Sequence, residues 1–320
     1  MTPSGLTGSL HFLSPDTHSS LYRNDLVRMT RDHRGNSVDS HGIETEQRKM
    51  TILDARQLKQ GDAMSLTMNG FELRHAPIKG YDFLDHDEVI TGYYKECEKL
   101  VADATGGRVW AFDHNVRSAQ GLADKLTVKG GQDVQGPAHI VHGDYTLRSA
   151  PERLSQLRRP PSVNDTVKSP TADGAGLLPE WAVEQACSDE GRFAIINVWR
   201  NIREEPVATH PLALCDGLSV EPEDLVVFEI HMPDRVGENY WAKYDPRHRF
   251  YYYPAMTRDE ALLIKQWDSA GHLAKSQGSE ADRQVNGPCT FSFHSAFDTP
   301  GTPNDAPDRW SIEVRCVVVY

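Results

Sequence analysis

Two imidazoles and a carboxylate are written into this chain at a spacing that only folding can bring to one point. His142-Gly143-Asp144 sets two polar groups two residues apart, and His294, in Phe-Ser-Phe-His-Ser-Ala-Phe-Asp, lies 152 positions downstream. Along a strand, residues i and i+2 point to one side, so His142 and Asp144 face the same interior, and the small Gly143 leaves room on the other side. Only folding delivers the third group, as when a barrel sets distant strands side by side. Two imidazoles and one carboxylate on one face of an iron(II) ion leave its other positions open, the arrangement used by non-haem oxygenases. A His-x-Asp alone reads equally well as a polar strand edge in a chain with 14 histidines.

The C-terminus adds weight. Arg309-Trp-Ser-Ile-Glu-Val-Arg-Cys-Val-Val-Val-Tyr320 begins in strict polar/apolar alternation and ends in β-branched residues, which predicts a strand with Arg309, Ser311, Glu313 and Arg315 on one face. An arginine and a serine two apart can grip a carboxylate together, the guanidinium by its fork and the hydroxyl by a third hydrogen bond. Without His294 fifteen residues upstream, the same pattern would read as a solvated edge strand.

Several segments, taken in order, make a resemblance specific. They are Phe112-Asp-His-Asn-Val-Arg-Ser118, Val141-His-Gly-Asp-Tyr-Thr146, Ile196-Asn-Val-Trp-Arg200, Pro211-Leu-Ala-Leu-Cys-Asp216, Tyr252-Tyr-Pro-Ala-Met, Asp259 to Asp268 and the terminal Arg-x-Ser-Ile-Glu-Val-Arg. From about residue 50 to the C-terminus the chain resembles the gibberellin desaturase-like (CmcJ-like) family, which is similar in kind to iron(II)- and 2-oxoglutarate-dependent dioxygenases. The resemblance implies a mainly β fold with flanking helices around a double-stranded β-helix (jelly roll, cupin-like) core. It implies Fe(2+) held by His142, Asp144 and His294, with 2-oxoglutarate and O2 as cosubstrates. It makes Arg309 the first candidate for the distal carboxylate of 2-oxoglutarate, with Ser311 assisting. The interval from His294 to Arg309 is longer than is usual in related dioxygenases, and Arg315 shares the strand face, so either arginine is a candidate anchor. Arg309 is favoured because it begins the Arg-x-Ser pattern.

Composition agrees. With 34 basic and 46 acidic side chains the net charge is −12, which argues against a nucleic-acid partner needing a cationic surface and leaves a small-molecule substrate. The five cysteines are odd in number with no Cys-x-x-Cys pair, so they read as reduced thiols rather than a disulfide framework or zinc site. The first thirty residues lack an apolar run for a signal peptide or membrane span. The expectation is a cytoplasmic protein without membrane contact, and a homodimer is compatible with the sequence.

The expected organisation is an N-terminal arm over 1–50, partly flexible, then a single catalytic jelly roll over 51–320. A Pro- and Ser-rich stretch around 150–180 is a candidate lid, with a short helix near 152–158. Asp85-His-Asp-Glu88 predicts a capping box opening a helix that runs to about Thr105 and stops at Gly106-Gly107, its apolar stripe being core. Thr51–Asp54 and Phe71–Arg74 predict short strands around a turn at Asn69-Gly70. Strands are further expected at 109–112, 193–199, 225–231 and up to Pro254, a loop over 120–138, and a short helix at 258–266.

Three more residues are candidates for the substrate pocket: Arg117, Asn197 and Arg200. If their strand stays regular, Asn197 and Arg200 lie on opposite faces, so at most one faces the pocket; a structural hydrogen bond or ion pair is the alternative for each. Tyr145 should point away from the metal by parity, and Lys265 and Asp268 read as a local charge pair. The function expected is oxidation of a small metabolite, by hydroxylation, desaturation or ring formation, in secondary metabolism. The alternatives are a zinc-type hydrolase using the same triad with water, or a metal-binding jelly-roll partner of a methyltransferase.

Overall fold

The computed structural model describes residues 4–32, 37–162, 165–167, 174–233, 235–276 and 287–320. Fifteen strands dominate it. The first seven are β1 (Gly5–Leu13), β2 (Val27–Arg31), β3 (Ser37–His41), β4 (Thr45–Asp54), β5 (Phe71–His75), β6 (Arg108–Arg117) and β7 (His142–Gly143). There follow β8 (Phe193–Asn201), β9 (Leu212–Cys215), β10 (Leu225–His231), β11 (Val236–Ala242), β12 (Phe250–Tyr252), β13 (Glu260–Asp268), β14 (His294–Ala296) and β15 (Ser311–Val319).

Ten of them form one sheet in the order β1-β4-β12-β9-β14-β7-β11-β10-β2-β3, and five form a second, β5-β13-β8-β15-β6. The two sheets face each other as a jelly roll. Their apposed faces share one core: Phe193, Ile195, Val317 and Val319 from the smaller sheet pack with Phe12, Ile52, Ala213, Val227, Phe250 and Phe293 from the larger side. Alternation then sends Ala194, Ile196, Val198, Ile312, Val314 and Cys316 to the outer face of the smaller sheet, where a helix covers them.

That helix begins and ends where expected, with a simple N-cap in place of the capping box, because the Asp85 backbone N–H donates to the Asp82 carbonyl at 3.1 Å. The Asp85 side chain accepts from the backbone N–H groups of Asp87 and Glu88, fixing the first turn at His86–Glu88. A π-helical turn over Val89–Tyr93 precedes the regular helix Tyr94–Thr105, which ends at Gly106 in the left-handed region at φ 74°. Tyr93, Tyr94, Cys97 and Val101 are its buried stripe, as the periodicity requires.

Several expectations need correction. β1, β2 and β4 are not an arm apart from the jelly roll: β1 pairs with β4, β4 with β12 and β2 with β10, so a boundary at 50 cuts through β4. Thr51–Asp54 and Phe71–Arg74 belong to different sheets and do not flank a common turn, although Gly70 does sit at φ 90°. The helix expected at 258–266 is strand β13, enclosed by β5 and β8. A strand buried on both faces loses its alternation and becomes a continuous apolar run, here Ala261-Leu-Leu-Ile264, which helical spacing fits equally well. The 120–138 loop begins with a short helix, Ala119–Ala123, and a further helix, Glu180–Cys187, was not expected. In the stretch read as a lid, the helix Ser149–Leu157 buries Ala150, Leu154 and Leu157 in the core, while 163–164 and 168–173 lie outside the described residues.

Candidate metal centre

Neighbouring strands of the larger sheet carry the two histidines. β14 pairs antiparallel with β7 so that His294 stands directly opposite His142, and their ring centroids are 4.4 Å apart. Asp144 follows immediately after β7, and ligand atoms of His142, Asp144 and His294 all lie within 4.8 Å of one another, every one buried or nearly so. A Cβ at Gly143 would come within 3.0 and 3.1 Å of the Phe291 ring, so a side chain there requires that ring to give by a few tenths of an ångström.

On two of the three ligands the second atom is already engaged, which decides the atom left for a metal, while His294 Nδ1 has no partner among the described residues. His142 Nδ1 lies 2.8 Å from the Ile140 carbonyl and, as the only donor of the pair, donates to it, leaving the Nε2 lone pair free. On Asp144, Oδ2 accepts from Asn197 Nδ2 at 3.0 Å and from Arg315 Nε at 3.2 Å, while Oδ1 faces His142 Nε2 at 3.7 Å. With metal–nitrogen bonds of ~2.1 Å, octahedral neighbours are about 3 Å apart, so small side-chain adjustments close the set around one ion. The Asp144 backbone N–H donates to Gln266 Oε1 at 3.1 Å.

Electrostatics favour metal-ready protonation states. Burial first, then the neighbouring His294, pushes His142 down to about 4, and burial likewise lowers His294, so both rings are neutral near pH 7. Burial alone would raise the Asp144 carboxyl, but Arg315 first, then the two imidazoles and the Asn197 amide, hold it well below the ordinary carboxylate range.

The smaller sheet supplies the supporting face. Asn197, Arg315 and Asp113 lie in register across β8, β15 and β6, as do Trp199, Glu313 and Asn115, and Asn201, Ser311 and Arg117. Two bulges shape this face. Asp113 pairs with Arg315 and Ala111 with Cys316, which leaves Phe112 as the extra residue of β6. Likewise β13 skips Gln266 between Lys265 and Trp267, and Gln266 reaches the Asp144 backbone. Lys265 and Asp268 do form an ion pair at 3.0 Å, on that strand rather than on a helix.

The arginines separate cleanly. Arg315 commits its three guanidinium nitrogens to Asp144, Asp113 and Glu313, so it orients the centre and has no nitrogen left over for a bound dicarboxylate. Arg309 is almost fully buried, sits 5.6 Å over the Trp199 ring and donates through one terminal nitrogen to the His210 carbonyl, while its Nε has no partner. The Ser311 hydroxyl is equally buried and equally without a partner. Arg117 donates to the Gly136 carbonyl at 2.9 Å and faces Ser311 across the ladder. Burial, followed by the charge of Arg117, lowers Arg309 to about 9. The two cations thus lie near one another, and neither has a carboxylate in hydrogen-bond contact among the described residues.

Asn197 and Arg200 do point to opposite faces. Arg200 is on the outer side, donating to the Tyr93 hydroxyl at 3.1 Å and to the Ala76 and Arg258 carbonyls at 2.7 Å each, so it leaves the pocket set. Tyr145 packs against the shared core, and it also interacts electrostatically with Arg315 and Asp144. Asp113, Glu313 and Gln266 were missed: no local pattern marks a carboxylate that only braces an arginine, and Gln266 is aimed by a bulge that sequence does not show.

Comparisons with known proteins place the chain. The family model described as Oxidoreductase/YMDC permease-like domain matches residues 10–319. The chain is similar to the alpha-ketoglutarate-dependent dioxygenase tstK of Talaromyces stipitatus, 31% identical over 85% of this chain and 84% of that one. It is also similar to the hydroxylase/desaturase poxK of Penicillium oxalicum, 34% identical over 72% of this chain and 66% of that one. Among solved structures it resembles the iron and alpha-ketoglutarate-dependent endoperoxidase NvfI, with a TM-score of 0.67, 22% identity and 98% of each chain covered. With the fold, the converging triad and these relatives together, the chain belongs to the Oxidoreductase/YMDC permease-like family and is an oxidoreductase of the iron(II)- and 2-oxoglutarate-dependent oxygenase kind.

Proposed function

We propose that His142, Asp144 and His294 hold iron(II), that Arg309 and Ser311 anchor the distal carboxylate of 2-oxoglutarate, and that the enzyme oxidises a C–H bond of a small metabolite. The observation that carries this reading is the pair of unpartnered buried donors, Arg309 Nε and Ser311 Oγ, in the same interior as the triad. Either rival expected from sequence, a hydrolase or a non-catalytic partner, would leave those donors unexplained at a cost of about 1–3 kcal/mol each.

Bound iron(II), with 2-oxoglutarate and oxygen, supplies the oxidising chemistry. The chain's own residues do the rest. Asn197 and Arg315 fix the Asp144 carboxylate so that it presents one oxygen. His142 is locked in one tautomer by the Ile140 carbonyl. The aromatic and aliphatic side chains of the shared core exclude water. Arg117, beside Ser311, offers a cation to an acidic group of the substrate, and the Asn197 carbonyl oxygen, which has no partner, offers an acceptor. Hydroxylation, desaturation and ring closure differ in what the substrate radical meets next, which is set by how these groups seat it. The role fits secondary metabolism. Five free cysteines support a reducing compartment, and no helix among the described residues is long and apolar enough to cross a membrane.

The test is anaerobic addition of iron(II) and 2-oxoglutarate to the metal-free protein, followed by oxygen. The expected result is the weak visible absorption of the chelate, then stoichiometric succinate in the presence of a substrate found by library screening. No absorption change, or an unchanged one in His142→Ala, overturns the reading.

A further inference from the structure

A second group of two imidazoles and one carboxylate lies at the ends of the strands that build the first. His139 stands three residues before β7, His210 two before β9 and Asp298 two after β14, and β9-β14-β7 are consecutive neighbours in the larger sheet. The rails that align them are backbone hydrogen bonds, Ala296 N–H to the Ala138 carbonyl at 2.7 Å and Phe297 N–H to the Pro211 carbonyl at 3.1 Å. As a result, ligand atoms of His139, His210 and Asp298 all come within 4.8 Å of one another. His210 Nδ1 lies 3.0 Å from Asp298 Oδ1, and the His139 ring meets the His210 ring edge-on at 5.2 Å between centroids.

We infer that His139, His210 and Asp298 form a second divalent-metal site, separate from the catalytic centre and selective for zinc or copper over iron. A tetrahedral zinc ion with bonds of ~2.1 Å needs its ligand atoms about 3.4 Å apart, against separations within 4.8 Å among these partly exposed side chains. Two imidazole nitrogens and one carboxylate oxygen suit zinc(II) and copper(II), and at a site without imposed geometry the affinity order places both above iron(II). Exposure of Asp298 leaves the remaining positions to water. A lone His210–Asp298 ion pair would account for one contact only, and would be worth little at the surface. It would not account for a third metal ligand delivered from a separate strand to the same point. His210 also adopts φ 46°, a conformation rare for a residue with a side chain, while its carbonyl is held by Arg309.

The experiment is zinc titration of metal-free protein by calorimetry, in the wild type, in His139→Gln/His210→Asn and in His142→Gln/His294→Gln. Asparagine is chosen at 210 because it tolerates the left-handed backbone. The expected result is two zinc ions per wild-type chain and one in each double variant, with a copper(II) electron paramagnetic resonance signal of this site that is seen alone in His142→Gln/His294→Gln and is missing from His139→Gln/His210→Asn, whose spectrum is that of the catalytic centre only. One zinc per wild-type chain, or a second that persists in His139→Gln/His210→Asn, overturns the proposal. Loss of the ion at the catalytic centre alone is read in His142→Gln/His294→Gln, so the two sites fail independently.

Discussion

Replacing Asn197 by alanine separates metal orientation from folding, because its neighbour on the other face of β8 does the opposite job. Asn197 donates one hydrogen bond, at 3.0 Å, to the oxygen of Asp144 that faces away from the metal position. Hydrogen bonds to charged acceptors contribute about 1.5–3 kcal/mol, and removing such an outer partner of a metal ligand costs roughly 10–100-fold in metal affinity. Arg315 remains on the same oxygen at 3.2 Å, so the loss should fall toward the lower end, about tenfold. Since the only other polar atom of Asn197 is unpartnered, the stability of the metal-free protein should change little beyond a small cavity. Arg200→Met should invert the result. It strands the Tyr93 hydroxyl and two carbonyls, destabilising the fold by about 3–5 kcal/mol, and leaves metal affinity intact below the unfolding transition. The assay is calorimetric titration with cobalt(II) or anaerobic iron(II), alongside chemical denaturation of the metal-free forms. Unchanged affinity in Asn197→Ala, or an equal loss of affinity in folded Arg200→Met, would refute the assignment of faces.

Other expectations follow from the same geometry. Arg309→Met should raise the 2-oxoglutarate concentration for half-saturation by 100-fold or more, and Ser311→Ala by about tenfold, as one hydrogen bond to a charged group contributes about 1.5 kcal/mol; steady-state succinate formation reads both. Arg315→Met leaves Asp113, Glu313 and Asp144 facing one another and should cost about 3–5 kcal/mol of stability as well as metal binding, seen by denaturation and metal titration. Gly143→Ala forces a contact on Phe291 and should cost about 1–3 kcal/mol while weakening metal binding, read by thermal unfolding with and without metal. His114 is buried against the Tyr94 hydroxyl at 2.9 Å, and burial lowers it to about 4. The unfolded chain therefore takes up a proton first, so stability from this group is complete above pH ~6.5 and falls by up to about 3 kcal/mol as pH drops toward 4. In His114→Phe that part of the acid dependence should be absent in denaturation curves.

The sequence showed the parts of the site that obey periodicity. His142 and Asp144 at strand spacing, the alternating Arg309 to Arg315 run and the opposite faces of Asn197 and Arg200 all follow from a period of two. What was hidden depends on departures from it. Gln266 reaches Asp144 because β13 bulges there, and the run around it is apolar enough to read as a helix. Which arginine keeps a free donor was only half legible: Glu313 shares the strand face of Arg315 two residues away, but Asp113, which also occupies it, lies 202 residues distant. The β1–β4 region looked separate because its middle is polar. Its burial comes from strands more than a hundred residues later.

The direct pairing of His142 with His294 across β7 and β14 has a consequence for assembly of the chain. An ion shared by those two rings closes a loop of 152 positions, so it acts as a clasp between halves of the sequence made far apart in synthesis. The long search for this contact must be completed before the ion can hold it, and the ion then opposes reopening. Metal supply would thus act mainly on how long the finished molecule resists unfolding, and much less on how quickly it forms.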